Sequence, residues 1–259
     1  MVFVLLAIDI GNTNITLGVY EEDRLMFTSR LATDKRRTGD QYAIEIRDVM
    51  MLNGTDAELI EDAIICSVVP QVGTAVTNAI SKLFNIVPLV LGPGVKTGLN
   101  IRIDDPAQLG ADLAAGAVGA LAEYTMPCIV IDMGTANTVS VLDRNGAFLG
   151  GVIAAGVGLT LEALTSGTSQ LPSVHIEAPP SVIGRNTADC MKSGLVLGAA
   201  SMLDGIIDRI EEELGEKAAI VATGGRAAEI VSCCKHDIIL NDNLLLDGLR
   251  IIYEKNQRD

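Results

Sequence analysis

Apolar runs that end at an acidic residue, each followed by a glycine turn, occur twice along the chain. VFVLLAI at 2–8 runs into Asp9, and PCIVI at 127–131 runs into Asp132. In both places a polar turn leads into a second alternating run, then another polar turn (EEDR, DRNG) and a third run (LMFTSRLA, AFLGGVIA). Apolar and β-branched stretches bounded by turn residues predict strands. Beyond each triplet the period changes. Residues 40–52 and 72–84 are helical in spacing, whereas AIICSVV (63–69) and IVPLVLG (86–92) are strand-like. Leu195, Ala199, Met202, Ile206, Ile210 and Leu214 recur at helical spacing, and Gly215 stands where a helix would be capped. AAIVATGG (218–225) predicts a strand entering a glycine turn, and 243–255 a closing helix. Two copies of β-β-β-α-β-α predict two α/β domains of related topology facing one cleft. The expected boundary follows the Ala/Gly-rich stretch 109–122, giving domains 1–123 and 124–259.

The repeat carries candidate chemistry. At a shift of 123 residues, IDIGNTNITLGVY (8–20) overlays IDMGTANTVSVLD (131–143), so Asp9 matches Asp132, Gly11 matches Gly134 and Asn14 matches Asn137. A strand-end carboxylate followed by Gly-Asn-Thr or Gly-Thr-Ala suits a phosphate chain with its metal. Glycine permits close backbone approach, amide N–H groups and a hydroxyl donate to phosphate oxygens, and the Asp holds a hydrated divalent cation. A single such turn is no more than a hairpin corner, and it is the duplication that favours function. Ala222-Thr223-Gly224-Gly225 could receive a nucleoside against its backbone, although a plain strand–helix turn reads equally well. In DDPAQLGAD (104–112), Asp105, Pro106 and Gln108 read as N-cap, first helical residue and capping-box partner. Asp112 then falls two turns into a helix, either solvated or aimed into the cleft as a base. The small residues from Ala114 to Ala120 suit close packing on another helix, within the chain or across a dimer.

Composition narrows the partners. Of 259 residues 49% are hydrophobic, enough for a substantial interior, and 19 basic against 33 acidic residues leave a charge of −14. That balance argues against nucleic acid or an anionic membrane as partner. Five cysteines form no CxxC pair, and the start lacks a basic leader region, which predicts a soluble cytoplasmic protein with buried thiols. His175 and His236 have no sequence companions that suggest a triad or metal site.

Taken together, DIGNTNITLGVY (9–20), GPGVKTGLNI (92–101), LGAD (109–112), DMGTANT (132–138), GGVIAAG (150–156), TSQLPSV (168–174), SVIGRNTADCMKSG (181–194) and ATGG (222–225) resemble the type III pantothenate kinases. That family belongs with acetate and sugar kinases, Hsp70 and actin. The resemblance implies two actin-like (ribonuclease H-like) domains around a nucleotide cleft and ATP-dependent phosphorylation of pantothenate, opening coenzyme A synthesis. It assigns ATP contacts to Asp9, Ile10, Gly11, Asn12, Thr13, Asn14, Ile15, Thr16 and Thr135, and the general base to Asp112. Pantothenate contacts fall on Gly110, Ala111, Asp112, Leu113 and Thr187. Asp132 matches a monovalent-cation ligand (K⁺ or NH₄⁺), Asp9 lies near Mg²⁺, and a homodimer is typical. The chain departs from the family pattern at Leu113 and Gly167, where arginine is usual, at Ile103 (tyrosine) and at Ala155 (proline). These acceptor-side changes leave a second reading open, a non-catalytic or acceptor-altered nucleotide-binding paralogue.

Overall fold

The computed structural model describes residues 3–257; Val2, the first residue of the expected opening strand, lies outside them. In chain order the elements are β1 (Val4–Ile10), β2 (Asn14–Glu21), β3 (Arg24–Ala32), α1 (Gly39–Leu52), β4 (Asp62–Ser67), α2 (Pro70–Phe84), β5 (Leu89–Val90), β6 (Asn100–Ile101) and α3 (Ala111–Glu123). They continue with β7 (Cys128–Met133), β8 (Ala136–Leu142), β9 (Ala147–Ala155), α4 (Val157–Gly167), α5 (Thr187–Lys192), α6 (Gly198–Leu214), β10 (Ala219–Thr223), α7 (Ala227–Val231), β11 (Ile239–Leu240) and α8 (Leu244–Gln257). The chain separates into two compact units. Among the described residues one comprises 3–99, 105–122 and 244–257, and the other 100–104 and 123–243. This division departs from contiguous halves in two places. Helix α8 belongs with the first unit, because its apolar face closes that unit's core, and Asn100–Ile101 pairs with β9 of the second.

The first unit holds a mixed sheet ordered β3-β2-β1-β4-β5, with β1–β2 and β2–β3 antiparallel and β1–β4 and β4–β5 parallel. Both faces of β1 are covered, which is why its sequence is a nearly unbroken apolar run. Leu6, Ile8 and Ile10 pack with Tyr42, Ile46 and Met50 of α1 and Val72, Val76 and Ile80 of α2. Leu5 and Ala7 face the opposite way, toward Ala115 and Val118 of α3 and Leu246, Leu249 and Ile252 of α8. The small residues of α3 are used here, inside the chain: a Cβ on Gly119 would strike the Leu244 carbonyl, and one on Gly248 the Ala115 carbonyl. The stripe is thereby accounted for without a second subunit.

The second unit repeats this plan as β9-β8-β7-β10-β11, with β6 added in parallel beyond β9. The duplication extends to irregularities. The β2–β3 ladder shifts register between Val19 and Tyr20, and the β8–β9 ladder between Val141 and Leu142. Each bulge strengthens the local twist of its hairpin. Ile129, Ile131 and Met133 of β7 pack against Val196, Ala200, Leu203 and Ile207, and against Ile230 of α7. Residues Thr187–Leu214 form one continuous helix of 28 residues containing an 18-residue stretch of mean hydropathy 1.4, long and apolar enough to cross a membrane by length and composition. Its apolar stripe lies in the core of this unit, and its two buried acids are satisfied. Buried Asp204 accepts from the Lys235 and His236 amides, and buried Glu211 from Lys217 Nζ and the Ala218 amide.

Candidate active site

Each Asp of the repeat is the next-to-last residue of the central strand of its sheet, half-buried, with a largely exposed turn starting two residues on. In the first unit Asp9 pairs with Thr16 across the hairpin, and the turn Gly11–Asn14 closes through the Gly11 amide donating to the Asn14 carbonyl at 2.9 Å. Thr33 secures the turn from β3's end, its hydroxyl donating to the Gly11 carbonyl at 2.8 Å and its amide to the Thr13 carbonyl at 2.9 Å. The first glycine amide of the run is therefore committed to the turn itself. Ile10 and Ile15 are fully buried core side chains, so any ligand contact they make is through backbone.

The second turn is one residue shorter. Asp132 pairs with Thr138, and the Gly134 amide donates to the Ala136 carbonyl at 3.1 Å. Thr16 and Thr138 are thus equivalent. The overlay of Asn14 on Asn137 holds in sequence alone, for Asn14 is exposed in its turn whereas Asn137 is buried in β8 opposite Met133. Thr135 is exposed at the tip and its carbonyl accepts from the Gly156 amide at 3.0 Å. A Cβ on Gly156 would sit 2.6 Å from that carbonyl oxygen, which ties the start of α4 to this turn. Gly224 closes the arrangement. Its φ is +100°, and a Cβ there would lie 2.6 Å from both Asp132 Oδ1 and the Met133 carbonyl oxygen. Only glycine permits that approach.

Asp112 occupies a place different from the one its sequence suggests. Asp105 caps a single 3₁₀ turn, Pro106–Gln108, accepting from the Ala107 amide at 3.1 Å and from Gln108 Nε2 at 3.0 Å. The chain then extends through Leu109, and α3 begins afresh at Ala111, so Asp112 stands in the first turn of its helix, not two turns in. Its Oδ1 accepts from the Leu113 amide at 2.9 Å, and a Cβ on Gly110 would come within 2.5 Å of it.

Cys66, which sequence reasoning passed over as one more buried thiol, joins these acids. Parallel register sets it beside Asp9. Its thiol is pushed well above its ordinary value first by burial, then by the carboxylates of Asp9 and Asp112, and by a hydrogen bond with Asp9. Asp9, Asp112, Gly110 and Ala111 thus gather within the first unit, Asp132 and Thr135 within the second. Thr187 is exposed at the start of α5, after Asn186, whose side chain accepts from the Asp189 amide at 2.9 Å. Leu113 is half-buried, with an aliphatic side chain that offers no donor to an acceptor's polar groups.

The donors beside each Asp are hard oxygens, the type that Mg²⁺ and K⁺ take. Tight backbone approach at Gly224 leaves no room beside Asp132 for a side chain at that position. A third group, Asp208, Glu211 and His236, brings ligand atoms within 4.8 Å of one another, but these are engaged: His236 Nε2 lies 3.0 Å from Asp208 Oδ1, and Glu211 holds Lys217.

A family model for type III pantothenate kinases matches residues 5–209. The type III pantothenate kinase of Moorella thermoacetica is 41% identical over 256 residues, covering 98% of this chain and 100% of its own length. That of Syntrophobacter fumaroxidans is 42% identical over 257 residues, covering 99% and 100%. Among solved structures, a Campylobacter jejuni protein described as a Baf family transcriptional activator superposes with TM-score 0.61 at 20% identity, over 98% of this chain and 100% of that one. A ROK family protein of Streptococcus pneumoniae, in complex with sucrose, gives 0.53 at 14% identity over 98% and 100%. These structural likenesses concern the fold, that of actin-like ATPases and sugar kinases.

Proposed function

The chain belongs to the type III pantothenate kinase family, and from that membership we propose that it transfers the γ-phosphoryl group of ATP to the primary hydroxyl of pantothenate, the opening step of coenzyme A synthesis. The observation that carries the mechanism is the gathering of Asp9 and Asp112 around Cys66 in one unit. A strand-end acid beside a glycine turn, with a second acid at a helix start, provides the two roles that phosphoryl transfer to an alcohol requires.

Asp112 accepts the proton of the pantothenate hydroxyl as its oxygen attacks the γ-phosphorus, and ADP departs. The Leu113 amide orients the base by holding one of its oxygens. Backbone N–H groups of the first turn and the Thr13 and Thr16 hydroxyls steady phosphate oxygens, and Thr135 contributes from the second turn. Asp9 would hold Mg²⁺ and Asp132 a monovalent cation, K⁺ or NH₄⁺, which when bound neutralise charge on the triphosphate. The acceptor is met by Gly110, Ala111, Leu113 and Thr187. Leu113 in place of a donor makes that side less polar, which weakens acceptor affinity without removing the base. A homodimer and a cytoplasmic location complete the reading; its partners are ATP and pantothenate.

Purified protein given ATP, Mg²⁺, K⁺ or NH₄⁺ and pantothenate should accumulate 4′-phosphopantothenate, identified by mass spectrometry. Thermal stabilisation by ATP with no product over hours would favour the non-catalytic paralogue instead.

A further inference from the structure

Cys66 has no part in the steps above, yet it lies beneath them. It is the next-to-last residue of β4 and is 0% exposed. Parallel pairing puts it level with Asp9, so both side chains leave the sheet on the same face. That face is covered by α3, whose Ala115 and Val118 share a core cluster with Cys66. Asp112 lies one helical turn before Ala115 and so on the same side of α3. The thiol hydrogen-bonds with Asp9, which as a carboxylate can only accept. The second unit repeats the placement. Thr223, buried near the same end of β10, is level with Asp132. In both sheets a small side chain with one S–H or O–H hydrogen thus flanks the strand-end acid. The homologous position carries an S–H in one copy and an O–H in the other, among apolar core neighbours.

We infer that Cys66 is a positioning residue for phosphoryl transfer: its S–H donates to Asp9 and fixes the direction of that carboxylate under Asp112. The inference rests on the kinase reading. Asp9 and Asp112 carry like charges that repel, and a thiol fixes one of them without adding charge of its own.

Cys66→Ala and Cys66→Ser separate this role from packing. Alanine keeps the site apolar but removes the donor, whereas serine keeps a donor and is the less apolar filler. Positioning predicts that Cys66→Ala lowers kcat about tenfold, the scale of one hydrogen bond to a charged group, leaves the KM for pantothenate within about twofold, and that Cys66→Ser restores most of kcat. A packing role predicts the reverse ranking. Alanine at wild-type kcat, or serine no better than alanine, overturns the inference. Infrared spectra of the nucleotide-free wild type supply a readout independent of turnover and of either variant's folding. One S–H stretching band should be displaced to low frequency by a carboxylate acceptor, beyond the bands of thiols that face carbonyls, and a spectrum without such a band overturns it too. Failure of the kinase reading looks different, since the wild type itself would then make no phosphopantothenate.

Discussion

Replacing Gly110 with alanine places a methyl group against the base. Built on the existing backbone, the new Cβ lies 2.5 Å from Asp112 Oδ1, against an ordinary contact of about 3.5 Å. The carboxylate, being the mobile end of a side chain, turns aside by roughly half an ångström to an ångström. Its hydrogen bond from the Leu113 amide, 2.9 Å long, is strained or lost in doing so. Misplacement of that size costs up to about a hundredfold in rate, so kcat should fall roughly ten- to a hundredfold. The fold should hardly notice. Gly110 has no left-handed backbone to preserve and its carbonyl still accepts the Ala114 amide. The alanine restricts the unfolded chain by about 0.4–1 kcal/mol, offsetting a poorer cap of similar size. Steady-state kinetics by coupled ADP release, with thermal unfolding alongside, measure both halves. Wild-type kcat in a folded Gly110→Ala protein would refute the placement of Asp112 at the reaction centre.

Other outcomes follow from the same geometry. Gly224→Ala meets both a +100° φ and the Asp132 carboxylate, so it should lose about 1–3 kcal/mol in urea unfolding together with its response to K⁺ or NH₄⁺; retained cation activation would place the ion elsewhere. Tyr20→Phe removes a 2.8 Å hydrogen bond to Asp247, whose carboxyl burial pushes upward. A raised carboxyl destabilises the fold while ionised and ceases to as pH falls through its folded pKa. The loss, about 1 kcal/mol at neutral pH for this partly exposed acid, should therefore shrink on acidification, and a loss constant from pH 7 to pH 4 would contradict that. Buried Cys66 and Cys128, and Cys234, whose thiol burial pushes up to about 12 as it does that of Cys128, should resist a thiol reagent at pH 8 until guanidinium is added, whereas exposed Cys190 reacts at once. Mass spectrometry of the labelled peptides decides this.

The twofold β-β-β opening could be read from the chain because each copy buries both faces of its first strand, and a buried strand ending in Asp-x-Gly is an unusual pattern. Helices α1, α2, α6 and α8 were legible from apolar spacing for the same reason. What could not be read was register and partnership. Nothing in AIICS shows that Cys66 comes level with Asp9, since that depends on the parallel offset of β1 and β4. Nor does the closing helix announce its unit: its fit onto α3 rests on Gly119 and Gly248 meeting at backbone distance, a match between segments over a hundred residues apart. The helix around Asp112 was misjudged because Asp105, Pro106 and Gln108 form a complete start signal, which the structure uses for only one 3₁₀ turn before Gly110 allows a second start. The turn overlay failed by one residue for a related reason, loop length being invisible where both loops are rich in Gly, Thr and Asn.

The most direct test of the proposed chemistry is Asp112→Asn, which keeps the shape of the side chain and removes its basicity. Phosphopantothenate formation and ATP affinity should be measured on one preparation. General-base catalysis predicts a loss of about 10²–10⁴-fold in turnover with nucleotide affinity unchanged. Turnover equal to the wild type's would contradict the assignment of the proton to this carboxylate and, with it, the mechanism built around Asp9 and the start of α3.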